Sequence, residues 1–168
     1  MATTVRSATL TVTIEEEITL NSSRQGAKNI LRIPDINEVY KRIVSCPANA
    51  ETTVAHFKQV AGAAGGDSKF DGAIDVQDVK YIRITNLDAS NSLTLSLQIE
   101  VGEDDSGADT SASILLEAGK SFIMGSGHDG VSVSDANANL VTDLVDLDSL
   151  VVQPGSNIVD VEVFVAIA

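Results

Sequence analysis

The chain has no tryptophan, two tyrosines and four phenylalanines in 168 residues. Sugar clefts lean on flat aromatic surfaces, so the abundant carboxylates make a weak case for a glycosidase. A single cysteine, Cys46, excludes an internal disulfide and frees the fold from an oxidising compartment. Beside Pro47, at the end of an expected strand, it reads as a small buried hydrophobe rather than a nucleophile. Bases are scarce. Eleven Lys and Arg face 24 Asp and Glu, for a net charge of −13. Phosphate neutralisation needs Lys and Arg, so this balance argues against nucleic acid and against an anionic membrane surface. It favours colloidal solubility, with like-charged copies repelling until a specific partner is met. No apolar run approaches the roughly 20 residues that span a bilayer. The opening MATTVRSATL lacks the basic-then-apolar order of a signal peptide. The expectation is a soluble product made in a cytoplasm.

Hydrophobic residues make up 43% of the chain, mostly Val, Ile, Leu and Ala on short alternating segments, which suits sheets. The clearest pattern is Val79 to Val101. Leu93, Leu95, Leu97, Ile99 and Val101 alternate with Thr94, Ser96, Gln98 and Glu100, the period of a strand with one face in a core. Ile82 and Ile84 point one way, with Tyr81, Arg83 and Thr85 the other. Asn86, Asp88, Ser90, Asn91 and Ser92 supply turn chemistry between the halves. The stretch therefore reads as a central hairpin.

Residues 1–7 read as a short flexible arm and residues 8–168 as one β-sandwich domain. Leu10, Val12, Ile14, Ile18 and Leu20 share one parity, and Glu16 breaks it, which predicts a kink or a solvent-facing edge there. Asn21 to Asn29 reads as a loop, Ile30 to Ile33 as a strand stopped by Pro34, and Asp35 to Glu38 as a turn. Val39 to Cys46 and Thr52 to Val60 read as paired strands. Ala61 to Gly72, rich in glycine and alanine, reads as a mobile surface loop. Ile114 to Leu116 and Ser121 to Met124 flank a four-residue hairpin turn with Gly119 available for positive φ. Val131 and Val133 mark a short strand. Leu140, Leu144 and Leu147 follow helical spacing, so one short helix is expected near Ala138 to Asp146, then a strand at Leu150 to Gln153. Val159, Val161, Val163, Val165 and Ile167 end the chain on a strand. The tally predicts an all-β, jelly-roll-like antiparallel β-sandwich with at most one short helix.

Candidate chemistry is thin. His56 falls in a strand and His128 in a distant loop, with no GxSxG, HExxH or CxxC. Asp67, Asp71, Asp75 and Asp78 mimic an EF-hand spacing, but Lys69 and the lack of flanking helices spoil it. Asp104, Asp105 and Asp109 form a second acidic group, and Asp143, Asp146 and Asp148 a third. All read as solvated loops. No catalytic residue, metal site or cofactor is expected.

The phrases VKYIRITNLDASNSLTLSLQ and ILLEAGKSFIM, with LTVTIEEEITLN near the start, resemble small β-rich virion structural proteins of tailed bacteriophages, especially phages of marine bacteria and cyanobacteria. The resemblance covers roughly residues 8 to 125. It implies a non-enzymatic role in the virion, foremost decoration or cementing of the outer head surface, as a homotrimer bound to the major capsid protein or another virion protein. The alternatives are a neck, tail or fibre component, or a carbohydrate- or calcium-binding β-sandwich module. Position and pattern nominate Thr3, Thr4, Val5, Arg6, Leu10, Val12 and Ile14 as assembly contacts, through strand addition to a neighbour.

Overall fold

A computed structural model describes residues 6–58, 74–99, 110–125, 131–133 and 145–168. The described chain is all-β. β1 (Ala8–Glu15), β2 (Thr19–Leu20), β3 (Ser23–Arg24) and β4 (Lys28–Ile36) come first. Then follow β5 (Glu38–Cys46), β6 (Thr52–Lys58), β7 (Ile74–Asp75), β8 (Val79–Asn86) and β9 (Leu93–Ile99). β10 (Thr110–Leu116), β11 (Ser121–Gly125), β12 (Ser132–Val133), β13 (Val145–Pro154) and β14 (Val159–Ile167) complete the order. The one helical feature among the described residues is a 3-10 turn, Val76–Asp78, capped by the Asp75 carboxylate accepting from the Gln77 amide at 3.1 Å.

β5 to β14 build two sheets. One has the order β11-β8-β14-β5; the other runs β10-β9-β13-β6-β7, with β12 beside β13. All these pairings are antiparallel except β6 with β7. Their inner faces share one apolar core. Ile82, Ile84, Val161, Val163 and Val165 come from the first sheet, and Phe57, Leu95, Leu150 and Val152 from the second. Each is 3% exposed or less. Alternation in β9 and β14 produces this directly, because every second side chain of a strand meets the facing sheet.

Several pairings differ from the sequence-based expectation. β8 and β9 do not form a hairpin; they lie in opposite sheets. The turn between them carries the chain across the core edge, held by fully buried Asn86. Its Nδ2 donates to the Asn91 and Leu116 carbonyls at 2.8 and 3.2 Å, and its Oδ1 accepts from the Asp88 amide at 3.0 Å. β10 and β11 likewise part into opposite sheets, although Gly119 does take a positive φ, +69°. β6 pairs with β13 and β7 rather than β5. In each case both strands direct their apolar sides at one core, which an arch between sheets satisfies.

Asp35 to Glu38 is not the expected turn: Asp35 and Ile36 end β4 and Glu38 opens β5. β4 passes through Pro34, and Asp35 takes φ +59° at a register shift opposite Ala8–Leu10. A bulge on an edge strand tolerates both a missing donor and a left-handed residue. Val145 and Asp146, placed at the end of the expected helix, are strand. The rest of that helix, the 61–72 loop, His128 and residues 1–5 lie outside the described residues.

Candidate functional site

The first four strands make no ladder with either large sheet. They form one long hairpin arm. Pairing runs from Leu10 with Ile33, through Val12 with Leu31 and Ile14 with Asn29, to Leu20 with Ser23 at the tip. The same register is kept across the gap between β1 and β2, where the Glu16 amide donates to Ala27 and the Gln25 amide to Ile18. At the tip Asn21 and Ser22 take φ +48° and +65°, the two positive values that a tight two-residue hairpin turn needs. The segment from residue 21 to residue 29, expected as a loop, is therefore the two-residue turn followed by chain that pairs back through β3 and the start of β4.

The arm is amphipathic. Directly opposed residues share a face, so Leu10, Val12, Ile14, Ile18 and Leu20 stand with Leu31 and Ile33. The other face carries Thr11, Thr13, Arg32 and Ile30, with cross-strand ion pairs Lys28–Glu15 at 3.0 Å and Arg24–Glu17 at 3.9 Å. These pairs are solvated and contribute little to stability.

The base of the apolar face is seated on the outside of the β11-β8-β14-β5 sheet. Ile33, Ile36, Tyr81 and Ala166 are buried there, with Leu10, Val12, Phe164 and Ala168 packed around them. Tyr81 and Phe164 meet edge to face, ring centroids 6.0 Å apart. Burial pushes the Tyr81 hydroxyl pKa upward, partly offset by Arg83. The Arg83 guanidinium lies 5.7 Å from the Phe164 ring centroid and pairs with Glu162, whose other oxygen is 3.2 Å from Lys41. Beyond this seat the cover stops. From Thr13 to Arg32 every residue except Gly26 is exposed. Ile14 is 48% accessible, Ile18 54% and Leu20 60%.

The nominated contacts divide accordingly. Leu10 and Val12 are partly taken up by the chain's own sheet, Ile14 is available, and Arg6 is exposed. Thr3, Thr4 and Val5 lie outside the described residues. The nominations omitted Ile18, Leu20 and Leu31. The signal for the first two is their shared parity with Leu10, which continues past Glu16.

Other candidate chemistry does not assemble. His56 Nε2 is 3.8 Å from one oxygen of Asp148, and the Ser149 hydroxyl donates to the other at 2.8 Å. The carboxylate therefore sits between serine and imidazole, whereas nucleophilic catalysis requires the imidazole beside the hydroxyl. Burial raises the Cys46 thiol pKa, so the thiolate needed for reactivity is disfavoured. Among the described residues no group of three or more His, Cys, Asp or Glu side chains is placed to hold a metal ion. Asp67, Asp71, Asp104, Asp105, Asp109 and Asp143 lie outside them.

Comparison of the chain with known protein families, curated proteins and solved structures returns no match in any of the three.

Proposed function

We propose that this chain is a non-enzymatic structural protein of a bacteriophage virion, decorating or cementing the outer surface of the head. The observation that carries the reading is the arm. Its apolar face leaves its own sandwich and continues uncovered through Ile14, Ile18 and Leu20. A two-stranded hairpin is marginal alone in water, so an arm of this kind is built to be completed by another surface.

The strand order adds support. Counting the eight main sandwich strands β5, β6, β8, β9, β10, β11, β13 and β14, the sheets read first-eighth-third-sixth and second-seventh-fourth-fifth. That order supports a jelly-roll reading, an architecture shared by viral capsid and lectin domains. The argument from it is one of fold analogy. The resemblance in phrasing to phage virion proteins points the same way. The charge of −13 suits an exterior surface, away from packaged DNA.

Immunogold labelling of intact virions with an antibody to the sandwich tests the reading. Label over the head supports decoration. Label at the neck or tail moves the chain to that part of the particle, and unlabelled virions overturn a virion role.

A further inference from the structure

We propose that the apolar face of the arm packs against the same face of the arm on a second copy of this chain, so that copies join arm to arm with their sandwiches held apart. This deepens the assembly reading of the arm and rests on it.

Two observations select a second copy as the occupant. The first is self-complementarity. By alternation the apolar face includes one charged residue, Glu16, which is exposed. The charges Glu15, Glu17, Arg24 and Lys28 are paired with each other on the opposite face. Two such faces meet along Ile14, Ile18 and Leu20 with Glu16 the one charge that each brings, which has to stay in water at the rim of the contact, and stacked arms make the four strands that a free-standing β unit needs.

The second is the distribution of charge. Residues 1–37 hold four bases, Arg6, Arg24, Lys28 and Arg32, and four acids, Glu15, Glu16, Glu17 and Asp35. The whole net charge of −13 therefore falls on residues 38–168. Two sandwiches repel each other on approach, while two arms do not. The arm is the part of the chain by which copies meet without that repulsion.

Light-scattering mass of the full chain, followed over about a hundredfold range of concentration, is the test. A mass rising to a whole multiple of 17.6 kDa is expected. Association should tighten with added salt, because screening relieves repulsion between sandwiches and leaves the apolar contact intact. Ile18→Lys with Leu20→Lys should weaken association at least about tenfold and leave the melting temperature unchanged. Leu20→Cys and Ile14→Cys, prepared separately in a Cys46→Ala background and mixed, should cross-link between copies under mild oxidation. These cross-links decide the matter should the lysine variant misfold.

A chain that stays at 17.6 kDa throughout overturns the proposal. So does an oligomer unaffected by the lysine substitutions, or the absence of cross-links. The outcome separates from that of the decoration reading. A monomer that binds heads overturns only the arm-to-arm contact, and an oligomer absent from virions overturns only the decoration.

Discussion

The side-chain amide of Asn86 donates to the main-chain carbonyl of Leu116 at 3.2 Å, and the two residues end strands that lie in opposite sheets. One buried side chain thus ties both crossings, β8 to β9 and β10 to β11, at the same end of the core. Replacing it by alanine strands the Leu116 and Asn91 carbonyls and the Asp88 amide. Asn86→Ala should cost about 2 to 4 kcal/mol. The urea midpoint reads this directly, and a loss within error of zero would show that solvent replaces the amide.

Leu95 and Leu115 offer a contrast between adjacent strands. Leu95 is fully buried and Leu115 is 66% exposed. Leu95→Ala should cost about 2 to 5 kcal/mol, and Leu95→Asp should abolish the cooperative transition. Leu115→Ala should change stability by no more than about 0.5 kcal/mol. Equal losses at the two positions would contradict the assignment of faces in β9 and β10.

Gly26 lies against Glu16 in the gap between β1 and β2. A Cβ there would stand 1.8 Å from the Glu16 carbonyl oxygen, a backbone atom with no freedom to swing aside. Gly26→Ala should open the arm while the sandwich melts as before. Trypsin, acting at exposed Arg24 and Lys28, should cut the variant several-fold faster, roughly in proportion to the open population. Unchanged cleavage would mean that the arm absorbs the methyl group.

Asp88 makes the β8–β9 crossing sensitive to acid. Its carboxylate accepts from the Ser90 and Asn91 amides, both at 2.7 Å, and from the Asn91 side chain at 3.1 Å, and these bonds lower its pKa. A carboxylate with a depressed folded pKa contributes stability that is fully present above the unfolded value, near 4, and is lost as pH falls through the folded value. Melting temperature should fall across that window in the wild type. Asp88→Asn should lower it at neutral pH and flatten the decline below pH 4, roughly the unfolded carboxylate value. Identical slopes in the two proteins would assign the acid sensitivity to other groups.

Strands were legible in the residues where one face meets a core, as at Leu93 to Ile99 and Val159 to Ile167. Their partners were not. Asn86 to Ser92 and Glu117 to Lys120 carry the same turn chemistry whether the chain folds back within a sheet or arches to the other. The choice depends on whether both apolar faces share one interior, which no local window contains. The arm shows the same limit. Leu10, Val12, Ile14, Ile18 and Leu20 read as one apolar stripe, and a stripe does not announce where its cover ends. Pro34 looked like a stop because its missing donor is local information. The bulge that accommodates it depends on the partner strand.

β14 lies between β5 and β8, so the last strand in sequence is an interior member of its sheet. While the chain is being made, β5 and β8 have no common partner until residues 159–167 leave the ribosome. Until then β5 is a lone strand apart from the β8–β11 pair, and a chain cut before Val159 keeps a gap in the middle of this sheet rather than making a shorter version of the protein.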